Sequence, residues 1–252
     1  MIRIAQISDC HLFADASKTS YGQIAPYQSL AKVLDDIALQ SIDLLLVTGD
    51  LSGDGSLESY RHFEQLIKQR GIQSQWLILP GNHDDLSVLQ QQFSSVNLWS
   101  HYSIAAPLTI QNWQLHLLNT KTSGTGGFLA ESDLVALAQS LKQSRDYSQL
   151  IAAHHHPLVC HSWMDNHGWQ NSHKLLEVIA QYDSVKAMIY GHIHAELQQQ
   201  IGQCHYLACP STCWQWALQA EFGISQQAPA YRVLNLDPTG QFTTDIKRVE
   251  YS

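Results

Sequence analysis

Five times in this chain a short apolar run breaks off into residues able to hold a metal ion. Ile7-Ser8 leads into Asp9-Cys10-His11, Val47-Thr48 into Gly49-Asp50, and Leu79-Pro80 into Gly81-Asn82-His83-Asp84. Further on, Ala152-Ala153 leads into His154-His155-His156-Pro157, and Ile189-Tyr190 into Gly191-His192-Ile193-His194. The apolar runs read as buried strands, and strand C-termini in an α/β sheet converge on one edge, where ligands sit. The chain is thereby constrained to a fold that gathers five distant segments in one place. Each segment alone has a plainer reading: Gly-Asp is a common turn dipeptide, and Asn82 or Asp84 would serve as a helix cap. Five such coincidences at five strand ends make a poor account.

The intervening pattern supports that reading. Strands are expected over 2–8, 42–48 and 76–79, separated by helical periodicity over 29–39 and 57–67 and followed by a helix over 86–93, which makes three βα units and a sheet with covered faces. Residues 102–104, 108–110 and 113–119 then read as consecutive strands of a second, more antiparallel sheet. After a Gly/Ser/Thr loop over 120–127 come a helix over 131–141, a strand over 150–153, a loop over 154–171, a helix over 172–182 and a strand over 185–190. The tail is β-rich, with strands over 197–201, 205–208, 231–236 and 242–246. With no repeat or linker, 1–252 reads as one α/β domain, two sheets in a sandwich flanked by helices.

Composition narrows the chemistry. Lys and Arg number 14 against 22 Asp and Glu, a net charge of −8, so no basic field draws in a nucleic-acid polymer. No apolar run approaches the roughly 20 residues of a membrane span, and Met1-Ile2-Arg3-Ile4-Ala5 lacks a signal-peptide layout, so a cytoplasmic protein without a membrane partner is expected. Five cysteines, none in a CxxC arrangement, read as reduced thiols. The excess that calls for explanation is the 14 histidines. Carboxylate, amide oxygen and imidazole together suit a divalent first-row ion, with no thiolate to suggest structural zinc. The donors outnumber the needs of one ion; two ions about 3.5–4 Å apart, sharing a carboxylate, would use them and fit phosphoester hydrolysis.

With these residues in view the chain resembles the calcineurin-like metallophosphoesterases, whose blocks DxH, GD, GNH(D/E), HxP and GHxH are all present in order from Asp9 to His194. The stretches Leu79 to Asp84, His154 to Leu158, Ser162-Trp163-Met164-Asp165 and Pro210-Ser211-Thr212-Cys213 further resemble the class III cyclic nucleotide phosphodiesterases. The resemblance implies a four-layer αββα sandwich of two mixed sheets and a centre of two divalent ions, iron or manganese, with zinc as a third option. It implies Asp9, His11 and His194 around one ion, Asn82, His155 and His192 around the other, and Asp50 between them. His155 follows from the family position two residues before the proline, leaving His156 for a phosphate contact and His154 to pack inward. Substrate would touch His11, Asp50, Asn82, His83 and His194, with Trp163 and His167 stacking on a base. The implied reaction is hydrolysis of 3′,5′-cyclic AMP to 5′-AMP, by in-line attack of a hydroxide held between the ions with His83 as general acid. Another small phosphodiester or pyrophosphate (a 2′,3′-cyclic nucleotide, nucleotide-sugar or dinucleotide) stays open as substrate, because the five blocks do not separate these, and so does the choice between monomer and homodimer. One position departs from the pattern: Gly53 stands where many relatives carry an acid that orients the catalytic histidine, leaving Asp54, Asp84 and Asp85 as its partners.

Overall fold

A computed structural model describes residues 1–93, 98–101 and 104–250. The apolar runs at the start of the chain form β1 (Ile2–Ile7), β2 (Leu44–Thr48) and β3 (Gln75–Leu79), linked by α1 (Pro26–Ala38) and α2 (Leu57–Gln69) and followed by α3 (Leu86–Gln92). Local chemistry sets the helix starts. Pro26 occupies the first turn of α1, Ser56 caps α2 by accepting from the Ser59 amide, and Asp85 caps α3 by accepting from Ser87 and Val88. The second half contains β4 (Leu108–Ile110), β5 (Trp113–Leu117), α4 (Glu131–Gln143), β6 (Ser148–Ala152), α5 (Ser172–Ile179), β7 (Val185–Tyr190), β8 (Leu197–Ile201) and β9 (Cys204–Ala208). A short ribbon of β10 (Gln215–Trp216) and β11 (Ile224–Ser225) precedes β12 (Ala230–Leu236) and β13 (Phe242–Arg248).

Two mixed sheets result, ordered β13-β12-β1-β2-β3 and β4-β5-β6-β7-β9-β8. The period of two along each strand decides the layers. Ile2 and Ile4 of β1, Leu44 and Leu46 of β2 and Leu77 and Leu79 of β3 meet Leu115, Leu150, Ala152 and Ile189 of the other sheet. The alternate residues Ala5, Ile7, Leu45, Val47 and Ile78 pack beneath α1, α2 and α3, while Ile151, Met188 and Tyr190 pack beneath α4 and α5. Both faces of each central strand are buried, which explains their continuous apolar runs. The layers are therefore helix, sheet, sheet, helix.

The second sheet differs from the more antiparallel arrangement expected of it. β5, β6, β7 and β9 are mutually parallel, and only the edge strands β4 and β8 run antiparallel to their neighbours. The helices α4 and α5 make the β5–β6 and β6–β7 connections parallel, because a helical crossover returns the chain to run in the same direction, while β9 comes to lie parallel to β7 after the chain turns back through β8. Of the strand expected at 102–104, Tyr102 and Ser103 lie outside the described residues and Ile104 sits in a turn. All five cysteines are buried free thiols. Among the described residues no helix is long and apolar enough to cross a membrane.

Candidate metal centre

The register levels the strand ends. Ile7 pairs with Val47 and Val47 with Ile78, while Ala152 pairs with Ile189 in the other sheet, so the segments that follow emerge side by side. Backbone hydrogen bonds then knit them: the Asp9 amide donates to Gly49 O (3.0 Å), the His11 amide to Asp50 O (2.9 Å) and the Gly191 amide to His154 O (3.1 Å). Asp9, His11, Asp50, His192 and His194 all have φ between 44° and 69°. A left-handed backbone at non-glycine residues costs about 1–3 kcal/mol each and gathers where geometry serves function. Gly81 is required by proximity, since a Cβ there would fall within the Asp50 carboxylate and against its backbone nitrogen.

Each carboxylate has one oxygen held by the backbone and one turned inward. Asp9 Oδ2 accepts from the His192 amide (2.9 Å), leaving Oδ1 buried without a hydrogen-bond partner. Asp50 Oδ1 accepts from the His83 amide (2.7 Å), leaving Oδ2 to the centre. Around Asp9 Oδ1, His194 Nε2 lies at 3.3 Å and itself stands 3.0 Å from His11 Nε2, which is 3.9 Å from Asp50 Oδ2. On the other side, His154 Nε2 lies 3.1 Å from Asn82 Oδ1, 3.2 Å from His192 Nδ1 and 3.3 Å from Asp50 Oδ2. Asp50 Oδ2 thus sits between two groups of donors.

The far nitrogens of the rings show what these groups want. His194 Nδ1 faces Trp214 O (3.0 Å), His154 Nδ1 faces Thr48 O (2.8 Å), and His192 Nε2 faces His167 O (3.0 Å). A carbonyl only accepts, so those nitrogens carry the protons, and in the neutral rings the lone pairs of the opposite nitrogens point into the centre. Lone pairs, carboxylate oxygens and an amide oxygen at 3.0–3.3 Å repel one another unless a cation lies among them. The orphaned Asp9 Oδ1 and this donor set fit divalent ions.

The electrostatics agree. Burial alone would raise Asp9 and Asp50, but His194 holds Asp9 below the usual carboxylate range and His154 holds Asp50 well below it. Burial pushes His11 down to about 3 and His192 well below its ordinary value, so both are neutral. Burial also acts downward on His154, yet Asp50 and Asp9 outweigh it and lift that imidazole to about 9 in the metal-free protein.

Asp9, His11, Asp50, Asn82, His192 and His194 converge as the sequence led us to expect, but the triple histidine does not behave as expected. His154 faces the centre. His155 shares hydrogen bonds with Thr120 Oγ1 (2.7 Å) and Thr125 O (3.2 Å), although a ring nitrogen of it stays within 4.8 Å of those of His154 and His192. His156 stacks on His192 with ring centroids 5.5 Å apart and lines a separate cavity, so the structure does not bring it to the substrate side. The reason is that β6 ends at Ala152 and the segment turns sharply against Gly49, where the His154 ring leaves room only for glycine.

The centre opens on a cavity of about 250 Å³. His83 lines it, exposed, with its ring edge-on to His11 at 4.9 Å. None of the three expected carboxylates is spent on that ring: Asp54 accepts from the Ala14 and Ser56 amides, Asp84 from those of Gly81 and Ser52, and Asp85 from Ser87 and Val88. An acid at position 53 would not fit either, since a Cβ there meets the Phe13 ring at 2.8 Å and His11 O at 3.0 Å. Trp163 and His167 line the cavity as expected. Tyr21, Trp214 and Trp216 join them; Trp214 stacks on His11 (5.0 Å) and Trp216 on His194 (4.9 Å). Sequence reasoning missed these, and the only signal was the density of tryptophan just past Pro210-Ser211-Thr212-Cys213. It also missed Lys121, whose Nζ donates to Asn82 O (2.7 Å) and steadies that loop.

Residues 2–196 match the family model described as calcineurin-like phosphoesterase. The whole chain is 39% identical to a 3′,5′-cyclic-nucleotide phosphodiesterase of Nostoc sp., spanning 94% of that protein. It is 34% identical, over 99% of its length and 90% of the relative's, to a 3′,5′-cyclic adenosine monophosphate phosphodiesterase of Pseudomonas aeruginosa. In fold it is similar to a dimetal phosphatase from Danio rerio, with a TM-score of 0.62 at 14% identity, covering 100% of this chain and 99% of the other.

Proposed function

The chain belongs to the calcineurin-like phosphoesterase family, and on that premise we propose that it hydrolyses 3′,5′-cyclic AMP to 5′-AMP at a centre of two divalent ions. The observation that carries the dinuclear reading is Asp50 Oδ2, within 4 Å of an inward-facing imidazole on either side. Asp9, His11 and His194 would hold one ion, Asn82, His154 and His192 the other, and Asp50 both. Such ions supply Lewis-acid polarisation of phosphoryl oxygens and acidify water to a pKa of about 7.

The chain's own residues do the rest. The Asp50 and Asp9 carboxylates are pre-oriented by the His83 and His192 amides, so no reorganisation is needed as charge develops on phosphorus. Trp214 and Trp216 fix the planes of two ligand rings by stacking. His83, solvent-reachable and beside His11, donates a proton to the departing 3′ oxygen of the ribose, a contribution of about 10²–10⁴-fold. Trp163, Tyr21 and Trp216 line the same cavity as the ligand cluster and offer apolar ring faces that suit a nucleobase. The two phosphodiesterases compared above act by name on 3′,5′-cyclic nucleotides and match over nearly their full length, which supports that substrate over other diesters.

The test is kcat/KM of the Mn²⁺-reconstituted protein on 3′,5′-cyclic AMP, 2′,3′-cyclic AMP and an aryl phosphodiester. The expected result is a clear preference for 3′,5′-cyclic AMP with 5′-AMP as product. Cleavage of the activated aryl ester alone would leave the phosphoesterase centre standing and remove the substrate assignment.

A further inference from the structure

We propose, resting on the two-ion centre read above, that Ser211 and Cys213 are positioning residues for one ion of the pair. They set the metal affinity of the Asp9, His11 and His194 position and leave that of Asn82, His154 and His192 untouched.

The Asp9 carbonyl shows why such residues are needed. Asp9 is fully buried, and its φ of 53° takes the backbone out of the extended course of β1. A buried carbonyl outside the sheet ladder must find donors elsewhere. Ser211 Oγ donates to Asp9 O at 2.8 Å and Cys213 Sγ to the same oxygen at 3.1 Å, and both residues are themselves fully buried. A serine that only closed its own turn would do no more than accept from the Cys213 amide. Ser211 Oγ does accept that bond (2.9 Å), and its proton goes on to Asp9.

The same segment reaches the other two ligands of that position. Trp214 O faces His194 Nδ1 (3.0 Å), the Trp216 amide donates to His194 O (3.1 Å), and the Trp214 ring stacks on His11. The segment is anchored in turn: Ser29 Oγ of α1 donates to Thr212 O (2.6 Å), the Thr212 amide to Ser8 O (3.1 Å), and the Ala230 amide of β12 to Ser211 O (3.0 Å). The ligands of the other position are steadied from different places, Asn82 by Lys121, His154 by Thr48 and His192 by His167. Partners that orient metal ligands from behind are worth about 10–100-fold in affinity. Residues 211–216 therefore bear on one position, and the two ions answer to separate supports.

The experiment is a Mn²⁺ titration of the metal-stripped full chain, read by the paramagnetic resonance signal of free Mn²⁺ and by elemental analysis after dialysis. Wild type is expected to take up two ions, and Ser211→Ala to bind one of them about 10–100-fold more weakly with the other unchanged. Ligand variants identify which: in an Asn82→Ala background Ser211→Ala should weaken the remaining ion by that factor, and in a His194→Ala background it should leave it alone. Should Ser211→Ala not fold, Cys213→Ala carries the same expectations, while Cys213→Ser keeps a donor and should bind as wild type does. Both affinities unchanged in Ser211→Ala, or both weakened together, would overturn the proposal and leave the two-ion centre standing. Uptake of a single ion by wild type would remove the two-ion centre, and the proposal with it.

Discussion

Replacing His154 and His155 in turn by alanine separates two roles that neighbouring identical residues would otherwise hide. His154 Nε2 stands within 3.3 Å of Asn82, Asp50 and His192, so on the proposed centre His154→Ala would remove a ligand. Loss of a mere supporting partner costs about 10–100-fold in metal affinity, and loss of the ligand itself should exceed the upper figure. His155 is fully buried but bonded to Thr120 and Thr125. Two hydrogen bonds at about 0.5–1.5 kcal/mol each, with the cavity left by the ring, put His155→Ala at about 2–4 kcal/mol of destabilisation. At about 2–4 °C per kcal/mol for a chain of this size, its Tm should fall by roughly 5–15 °C while its ion content after dialysis stays that of wild type. Elemental analysis and thermal melts on the two variants decide the matter. If His155→Ala sheds an ion and His154→Ala does not, the placement of the triple histidine is refuted.

Three further outcomes are expected. His83→Ala should lower kcat by about 10²–10⁴ with ion content unchanged, and loss of both ions in that variant would contradict a proton-donor role. In the metal-free protein His154 is lifted from 6.5 to about 9, so its stabilising contribution is complete below about 6.5 and lost as pH rises through 9; the Tm of metal-free protein should fall over that window while metal affinity rises, and a flat Tm would show that the raised value is not realised. Gly81→Ala should abolish metal retention, since the new Cβ collides with Asp50 and has only backbone and a ligand to displace, and a variant with wild-type ion content would sink that geometry.

Much of the fold was legible because its determinants are local. The runs that became β1, β2, β3, β6 and β7 are apolar on both faces, and α1 and α2 show helical spacing ended by polar residues. The direction of the second sheet was not legible, because it follows from where α4 and α5 deliver the chain and not from the strands themselves. The ribbon of β10 and β11 has two residues a side, too few for any period to appear. The aromatic wall joins Tyr21, Trp163, Trp214 and Trp216 from segments far apart in the chain, and nothing in any one of them marks it as lining a cavity.

The donor set itself was decided by sequence: apolar runs must be buried, burial forces them into a sheet, and a sheet gathers its strand ends, so Asp9, Asp50, Asn82 and His192 had to meet. Which of three adjacent imidazoles joins them was decided only in three dimensions. In an irregular turn neither the period of two nor that of 3.6 applies, and the approach of Gly49 and the Thr48 carbonyl is what aims His154 inward and leaves His155 to the threonines. The same holds at Gly53, whose missing acid is explained by the Phe13 ring that packs over it. Local chemistry named the candidate ligands, and packing between distant segments assigned their directions.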